Sequence, residues 1–546
     1  MGAERLRRAR RLLPETGDWQ TMRAQFRWRV PGRLNIAERC CDSWAEADPR
    51  RTAIIHVGAD GGVRPWDYGR LRMAADGLAA SLAARGIGRG DRVAVLLPQC
   101  PEVMIAHFAA MKLGAVVLPL FTLFGEDALR YRLEDSGARA VVTDEANLDK
   151  LMALAGGLPE LAHVYTTGGR ALAPVLSLWG EVSRNRAEWA TAQTAADDPA
   201  VLIYTSGTTG PPKGVLHAHR FLLGHLPSVE AHHEGFPKNG DVGWTPADWA
   251  WIGGLMDMAM PCLYFGVPLV SHRMRRFDPD AAFRLIARHS VRNLFLPPTA
   301  LKMMRAATVP VGLGIRSVSS GGESLGADLL EWGRAVLGAP INEIYGQTEC
   351  NLVLSSCAGS MAVRAGSMGQ AVPGFDVEII DAAGRPLGPG ETGEIAVKAP
   401  NPVMFLEYWN KPEETAAKFV NGWLKTGDLG VKDADGYFTF VARDDDVITS
   451  AGYRIGPSEI ENCLTGHPDV VMAAAVGVAD ALRTEIVKAF VVLREGASWE
   501  GLEEALVARV RERISPHVAP RAVEFVDSLP MTATGKIMRR ALRERG

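Results

Sequence analysis

From residue 52 onward, short apolar runs alternate with stretches whose apolar positions recur every three or four residues. Residues 92–97, 115–120 and 138–143 are apolar at most positions, which predicts buried strands. Residues 103–113 and 128–136 lie between them and predict helices. Strands alternating with helices predict a mostly parallel sheet covered by those helices. The glycine-rich run 86–90 precedes its strand, whereas a dinucleotide fingerprint comes after one, so it predicts a plain turn. Residues 156–199 hold neither period and predict an irregular surface connection leading to the strand near residue 200. A second strand–helix run spans about 240–350, with strands at 293–296 and 317–319. After Gly366 the texture shortens: strands at 377–380 and 394–397 are parted by turns such as Gly388-Pro389-Gly390, which predicts a small antiparallel subdomain. Arg443-Asp444-Asp445-Asp446 predicts a solvated turn. Beyond it, residues 447–546 alternate on their own: helix 455–465, strands 473–478 and 487–493, helix 502–514, strand 522–526. The pattern as a whole predicts an α/β chain. A large N-terminal domain, 1–442, holds parallel-rich sheets with helices and the antiparallel subdomain; a connector, 443–446, leads to a small α+β C-terminal domain, 447–546. Residues 1–50 read as an entry arm with a helix around 36–45.

Composition removes several function classes. The chain has 546 residues, 47% of them hydrophobic and 23% charged, with a net charge of −3. That balance predicts an ordinary globular protein and gives no basic surface for nucleic acid or membrane. Seven cysteines are scattered without a CxxC pair, which predicts neither a disulfide framework nor a zinc site and fits a reducing cytoplasm. The N-terminus lacks an apolar core for a secretory signal. Its arginines, Arg5, Arg7, Arg8, Arg10 and Arg11, predict a solvated basic helix. Residues 252–270 are the most apolar long segment, but Asp257, Pro261 and Pro268 interrupt it, so it predicts buried core and no membrane span.

One stretch carries chemistry outright. Val201, Leu202 and Ile203 end a strand, and Tyr204-Thr205-Ser206-Gly207-Thr208-Thr209-Gly210-Pro211-Pro212-Lys213-Gly214 comes next. Glycines let the backbone approach a ligand, and successive N–H groups, hydroxyls and a lysine make an anion cradle. A polyphosphate fits it. A Walker loop needs Gly-Lys followed by Ser or Thr; here Lys213 lies between Pro212 and Gly214. The order Thr-Ser-Gly-Thr-Thr-Gly-Pro-Pro-Lys-Gly resembles the phosphate loop of the adenylate-forming enzymes: acyl-CoA synthetases, luciferases and peptide-synthetase adenylation domains. The resemblance runs from about residue 35 to the end.

That resemblance implies ATP, Mg²⁺ and CoA, a carboxylic acid substrate, and a role for each matching residue. Thr205, Ser206, Gly207, Thr208, Thr209, Gly210 and Lys213 would hold phosphates. Gly322, Glu323 and Ser324, within Ser320-Gly321-Gly322-Glu323-Ser324, resemble the segment beside adenine, though the family often has proline where Ser324 stands. In Tyr345-Gly346-Gln347-Thr348-Glu349 the ring would stack on adenine, Thr348 would meet the α-phosphate and Glu349 would hold the metal. Asp428 resembles the ribose-binding aspartate, Arg443 its companion, and Asp445 the hinge about which the small domain rotates. Lys536, in Leu529-Pro530-Met531-Thr532-Ala533-Thr534-Gly535-Lys536-Ile537, resembles the catalytic lysine, acting with Thr205 and Glu349. Ala451, Gly452, Tyr453 and Arg454 resemble the face presented to CoA, with Arg483 and Arg511 where relatives place phosphate-contacting arginines.

By the same resemblance Trp251, Ile252, Gly253, Gly321 and Gly346 line the acyl pocket. Acetyl-CoA synthetases carry tryptophan where Gly346 stands, so glycines here imply room for a longer or branched chain. Trp244, Trp249 and Met256 either wall that slot or are core. Tyr-Gly-Gln-Thr-Glu, Arg27-Trp28-Arg29-Val30-Pro31, and Asn35-Ile36-Ala37 opening a helix that contains Trp44 are most similar to medium-chain acyl-CoA synthetases. An aromatic-acid ligase of benzoate type, a luciferase-like oxygenase, a module feeding a carrier protein, and a degenerate acyl- or nucleotide-binding protein are the other readings. The sequence also leaves room for a homo-oligomer.

Overall fold

Two parallel-rich sheets carry the large domain. In the first, the strand order is Glu407–Tyr408, Lys213–Ala218, Pro199–Thr205, Val116–Pro119, Arg92–Leu96, Ala140–Thr143, His163–Thr166, Val175–Ser177. From Pro199–Thr205 to Val175–Ser177 neighbours run parallel; Lys213–Ala218 and Glu407–Tyr408 add antiparallel at one edge. Val116–Pro119 and Ala140–Thr143 are buried at every position, as expected of strands covered on both faces. Pro101 starts the buried helix Pro101–Lys112, where its missing N–H costs nothing. This computed structural model describes residues 2–15, 17–169, 173–205, 211–322, 325–443, 446–450, 453–480, 484–514, 516, 518–532 and 536–545.

The second sheet has the order Gln370–Ala371, Cys350–Ser355, Ile341–Gln347, Ser317–Gly321, Asn293–Phe295, Gly243–Trp244, Leu269–Ser271, Thr52–Val57, Val63–Asp67. Its inner strands are parallel, and Cys350–Ser355 turns back antiparallel on Ile341–Gln347. A five-stranded antiparallel sheet comes next, built on Thr392–Lys398 and Trp423–Lys432 with Phe438–Arg443 at its side. The small domain pairs Val470–Asp480 with Thr484–Leu493 antiparallel, adds Ala522–Phe525 parallel, and packs helices Pro457–Thr465 and Leu502–Arg513 in its core. The expected α/β class, with a large and a small domain, is what the chain forms.

Three expectations need correction. Residues 156–199 are not merely irregular: His163–Thr166 and Val175–Ser177 extend the first sheet, and Leu178–Arg184 is a helix capped by Ser177. Both strands are short and carry polar residues, His163, Thr166 and Ser177, so no unbroken apolar run marks them. The helix expected from residue 455 starts at Pro457, after the strand Tyr453–Ile455. The basic N-terminus forms the expected helix, Ala3–Ala9, with Arg5 and Arg8 exposed, but the arginines after it are not solvated. The Arg10 guanidinium is buried, donates to Tyr264 O, and lies 5.1 Å from the Trp44 ring centroid and 4.8 Å from that of Tyr264. Arg11 donates to Gly235 O at 2.9 Å, and the N–H groups of Leu12 and Leu13 donate to Glu230 at 2.7 and 3.3 Å. Burial pushes the Glu230 carboxyl up to about 8. The hydrogen-bond partners lie more than 200 residues away in sequence, beyond any local pattern.

The segment 252–270 is core as expected: Gly253–Ala259 makes a widened helical turn, Met260–Phe265 a helix and Leu269–Ser271 a strand. Among the described residues no helix is long and apolar enough to cross a membrane. Trp244 and Trp249 are fully buried core, in separate clusters. One buried ion triad ties the entry helix to the first sheet's helices: Lys112 Nζ lies 2.5 Å from Asp42 and 2.8 Å from Asp76.

Candidate active site

The strands on either side of the phosphate-loop sequence form an antiparallel pair. Thr205 ends Pro199–Thr205 and pairs in register with Lys213, which starts Lys213–Ala218. The pair is fixed from one side, since the Tyr204 hydroxyl donates to Asp135 at 2.5 Å and the Tyr131 hydroxyl to Pro212 O at 3.0 Å. Ser206, Gly207, Thr208, Thr209 and Gly210 lie outside the described residues. Lys213 pairs with Glu414 at 2.5 Å and lies 5.2 Å from the Tyr408 ring centroid.

Tyr408 links this pair to the second sheet. Its strand pairs with Lys213–Ala218, and its hydroxyl donates to Glu349 Oε1 at 2.5 Å. Glu349 sits in the turn between Ile341–Gln347 and Cys350–Ser355, with Thr348 beside it. Among the described residues no donor reaches Glu349 Oε2, and no group of three His, Cys, Asp or Glu gathers to hold a metal. A single half-buried carboxylate suits Mg²⁺, which commonly takes one or two carboxylates and completes its shell with phosphate oxygens and water.

On the other side of that turn the Tyr345 hydroxyl and Gln347 Nε2 both donate to Asp428 Oδ2, each at 2.7 Å. Gln347 also donates to Thr426 O at 2.8 Å. Asp428 faces Arg443 in the strand register, and Arg443 Nε lies 3.7 Å from its Oδ1. Gly427, with φ of +76°, makes the kink that a glycine adopts freely, and its N–H donates to Glu394 at 2.7 Å. The structure therefore gathers Tyr345, Gln347, Asp428 and Arg443 on one carboxylate. Tyr408, Glu414 and Thr426 complete the cluster and carry no signal in the sequence, because tyrosines, glutamates and threonines are common and these act through long-range contacts.

Lys536 reaches the same region from the small domain. Thr532 N–H donates to Lys536 O at 2.8 Å, and Lys536 N–H to Thr532 Oγ1 at 3.1 Å. Its Cε lies 3.8 Å from where a Cβ would stand on Gly322, and the Trp251 ring is equally near that point. Gly322 has φ of +100°, which a side chain would oppose. Glu323 and Ser324 lie outside the described residues.

The acyl-pocket glycines are not simply open space. A Cβ on Gly321 would stand 2.5 Å from Ile344 O, and one on Gly346 would stand 2.2 Å from Leu352 N. Both are glycine because a neighbouring backbone presses on them. A Cβ on Gly253 would meet the Trp251 ring at 2.9 Å, so Trp251 itself fills that space. Trp251 is half-buried, 5.6 Å from the Phe295 ring centroid, and Ile252 is buried. Asp257 is buried in the turn after Gly253, with Asn351 Nδ2 donating to it at 2.5 Å; burial raises its carboxyl well above the usual range.

The CoA face is less fully described. Tyr453 and Arg454 pair with Ser450 and Thr449 in a short hairpin, and Arg511 is exposed on Leu502–Arg513. Ala451, Gly452, Arg483 and the hinge residue Asp445 lie outside the described residues, as do the side chains of Tyr453 and Arg454. Asp446 accepts from Arg543 at 2.7 Å and so is held by the small domain.

Comparison with known proteins agrees with this geometry. The model of the AMP-binding enzyme family matches residues 41–409, and that of the AMP-binding enzyme C-terminal domain matches 459–536. The chain is 34% identical to the mitochondrial acyl-coenzyme A synthetase ACSM4 of Homo sapiens, over 94% of this chain and 91% of that one. It is 33% identical to the acetyl-coenzyme A synthetase of Bacillus subtilis (strain 168), over 96% and 93%. A benzoate CoA ligase from Burkholderia xenovorans LB400 superposes with a TM-score of 0.82 at 29% identity, covering 93% of this chain and 100% of that one. The chain is a member of the AMP-binding, adenylate-forming enzymes, an acyl-CoA synthetase and hence a ligase.

Proposed function

We propose that the protein activates a medium-chain or branched carboxylic acid with ATP and transfers the acyl group to CoA. The observation that carries this is Lys536 standing beside Gly322, opposite the Tyr345–Asp428 cluster, because that arrangement suits the first half-reaction. A carboxylate oxygen attacks the α-phosphorus of ATP, the bond to the β-phosphoryl oxygen breaks, and pyrophosphate leaves. Two anions must meet, so the barrier is mainly electrostatic, and fixed positive charge and donors lower it. Lys536, Lys213, Thr205 and the loop 206–210 supply them in this reading. Asp428, set by Tyr345 and Gln347, accepts the ribose hydroxyls with Arg443 beside it. Mg²⁺ held at Glu349 neutralises phosphate charge.

The CoA thiol then attacks the acyl carbon and AMP leaves. Lys536 must withdraw for this. Asp445 serves as the pivot between a 1–442 domain and a 447–546 domain, and the 451–454 segment, with Arg483 and Arg511, replaces Lys536 at the site.

Similarity to the mitochondrial acyl-CoA synthetases supports the medium-chain reading. A benzoate-type acid is the second reading, favoured by the Trp251–Phe295 aromatic wall and by the benzoate ligase neighbour. Pyrophosphate release should be measured across straight acids from acetate to dodecanoate, with branched and aromatic acids, with and without CoA. Highest kcat/KM on a C4–C10 or branched acid is the expected result; benzoate above hexanoate and octanoate establishes the second reading, and no release with any acid refutes both.

A further inference from the structure

Away from the ATP and CoA residues, a second cleft lies between the two domains. Its cavity is about 260 Å³. Lys302 and Arg305 line it from the large-domain helix Pro298–Arg305, and Arg509 and Arg513 from the small-domain helix Leu502–Arg513. The spacings are three and four residues, so each helix turns two cations to one face. Arg511, the arginine assigned to CoA, does not line it.

The charges are poorly matched. Asp328 is the one carboxylate in the lining, and among the described residues no carboxylate lies within ion-pair distance of any of the four cations. Arg509 Nε donates at 2.7 Å to Cys463 O, and Arg305 reaches across the domains to Thr465 O at 3.5 Å. Both contacts are to neutral carbonyls. Like charges from two bodies facing one cavity oppose the docking that brings them together. An anion between them reverses the sign. Guanidinium groups offer paired N–H donors that match phosphate oxygens, and the volume takes a phosphate or pyrophosphate with its water.

We propose that this cleft binds a phosphate-class oxyanion that bridges the domains and holds the orientation in which Lys536 faces Gly322. Linkage makes the consequence reciprocal: what binds only the docked arrangement stabilises it. The occupant therefore slows the rotation needed for thioester formation and leaves adenylate formation unchanged. The kinetic part of this rests on the proposed two-step reading; the binding site itself does not.

Two measurements test it on the full chain, using inorganic phosphate as the probe at constant ionic strength set with KCl. The first is ³¹P line broadening of phosphate by the protein, which needs no activity. The second is single-turnover thioester formation from preformed acyl-adenylate. The variant is Lys302→Ala with Arg513→Ala; Arg509 is left in place because it holds the Cys463 carbonyl. With the nucleotide cradle filled by saturating ATP in the absence of acid, expected are broadening of the phosphate line by the wild type and not by the double variant, and a several-fold slowing of the thioester step by millimolar phosphate that the variant loses. Equal broadening by both proteins, or none by the wild type, overturns the site. Broadening without any effect on the thioester step overturns the conformational role. Absence of adenylate with every acid strikes the proposed function and leaves the ³¹P result to decide the site.

Discussion

Replacing Asp428 with alanine tests the nucleotide side of the reading. Its carboxylate is 6% exposed and already receives two donors on Oδ2, from Tyr345 and Gln347 at 2.7 Å each, with Arg443 3.7 Å from Oδ1. It is thus set in place before any nucleotide arrives, so a ribose hydroxyl gains its hydrogen bond without an ordering cost. A hydrogen bond to a charged acceptor contributes about 1.5–3 kcal/mol. At 1.36 kcal/mol per factor of ten, that is roughly a 10–150-fold preference for each hydroxyl. The assay is kcat/KM for pyrophosphate release with ATP, 2′-deoxy-ATP and 3′-deoxy-ATP. Wild type should lose about that factor with at least one analogue. Asp428→Ala should lose as much with ATP and then scarcely distinguish the three. Denaturant midpoints must accompany the kinetics, because the variant strands the Tyr345 hydroxyl and the Gln347 amide. If Asp428→Ala still discriminates against the deoxy analogues as the wild type does, Asp428 is not the ribose acceptor and the cluster is structural.

Lys536→Ala should abolish acyl-adenylate formation while sparing thioester formation from supplied acyl-adenylate; equal loss in both half-reactions would sink its assignment to the first step. Lys112→Met leaves Asp42 and Asp76 buried without their cation, and should lower unfolding stability by about 3–5 kcal/mol in denaturant titration, whereas a change below about 1 kcal/mol would show the triad to be neutral. Burial in apolar surroundings holds His107, His217 and His232 down to about 3, and His219 and His225 to about 4. Their folded values lie below the unfolded value near 6.5. The unfolded chain therefore binds more protons in that window, so this stability is complete above pH 6.5 and lost as pH falls toward 4. Glu230, raised to about 8, has the opposite sign: its contribution is lost as pH rises from about 4.5 to 8. Glu343, also raised to about 8, Asp248, raised to about 6, and Asp257, raised well above the usual range, share the sign of Glu230. The five rings outweigh these four carboxyls once most unfolded histidines are protonated, so the denaturant midpoint should fall from about pH 5.5 to about 4.5, and a midpoint flat across that range would contradict the neutral burial of these rings.

The legible parts of the chain are those whose physics is local. Apolar runs such as Val116–Pro119 announce covered strands, because every position of such a strand is buried. The strand pair at Thr205 and Lys213 is legible because a loop that cradles phosphate needs glycines, hydroxyls and a lysine side by side. The edge strand Val175–Ser177 is illegible, since it is short and Ser177 leaves no unbroken apolar run. Arg10 looks solvated in the sequence because its carbonyl acceptor and ring partners lie beyond residue 40. Gly321 and Gly346 look like space, when their own neighbours' backbones explain them.

The sequence by itself determined the order of elements, the α/β class with its small terminal domain, and the family, because motif residues must stay adjacent to build one loop or turn. Tertiary structure alone decided which side chains share a carboxylate, as Tyr345, Gln347 and Asp428 do, and which lysine meets Gly322. It alone set four cations from two helices around one cleft. Such contacts join residues tens to hundreds of positions apart, and their energies depend on distance and burial, which no one-dimensional pattern contains.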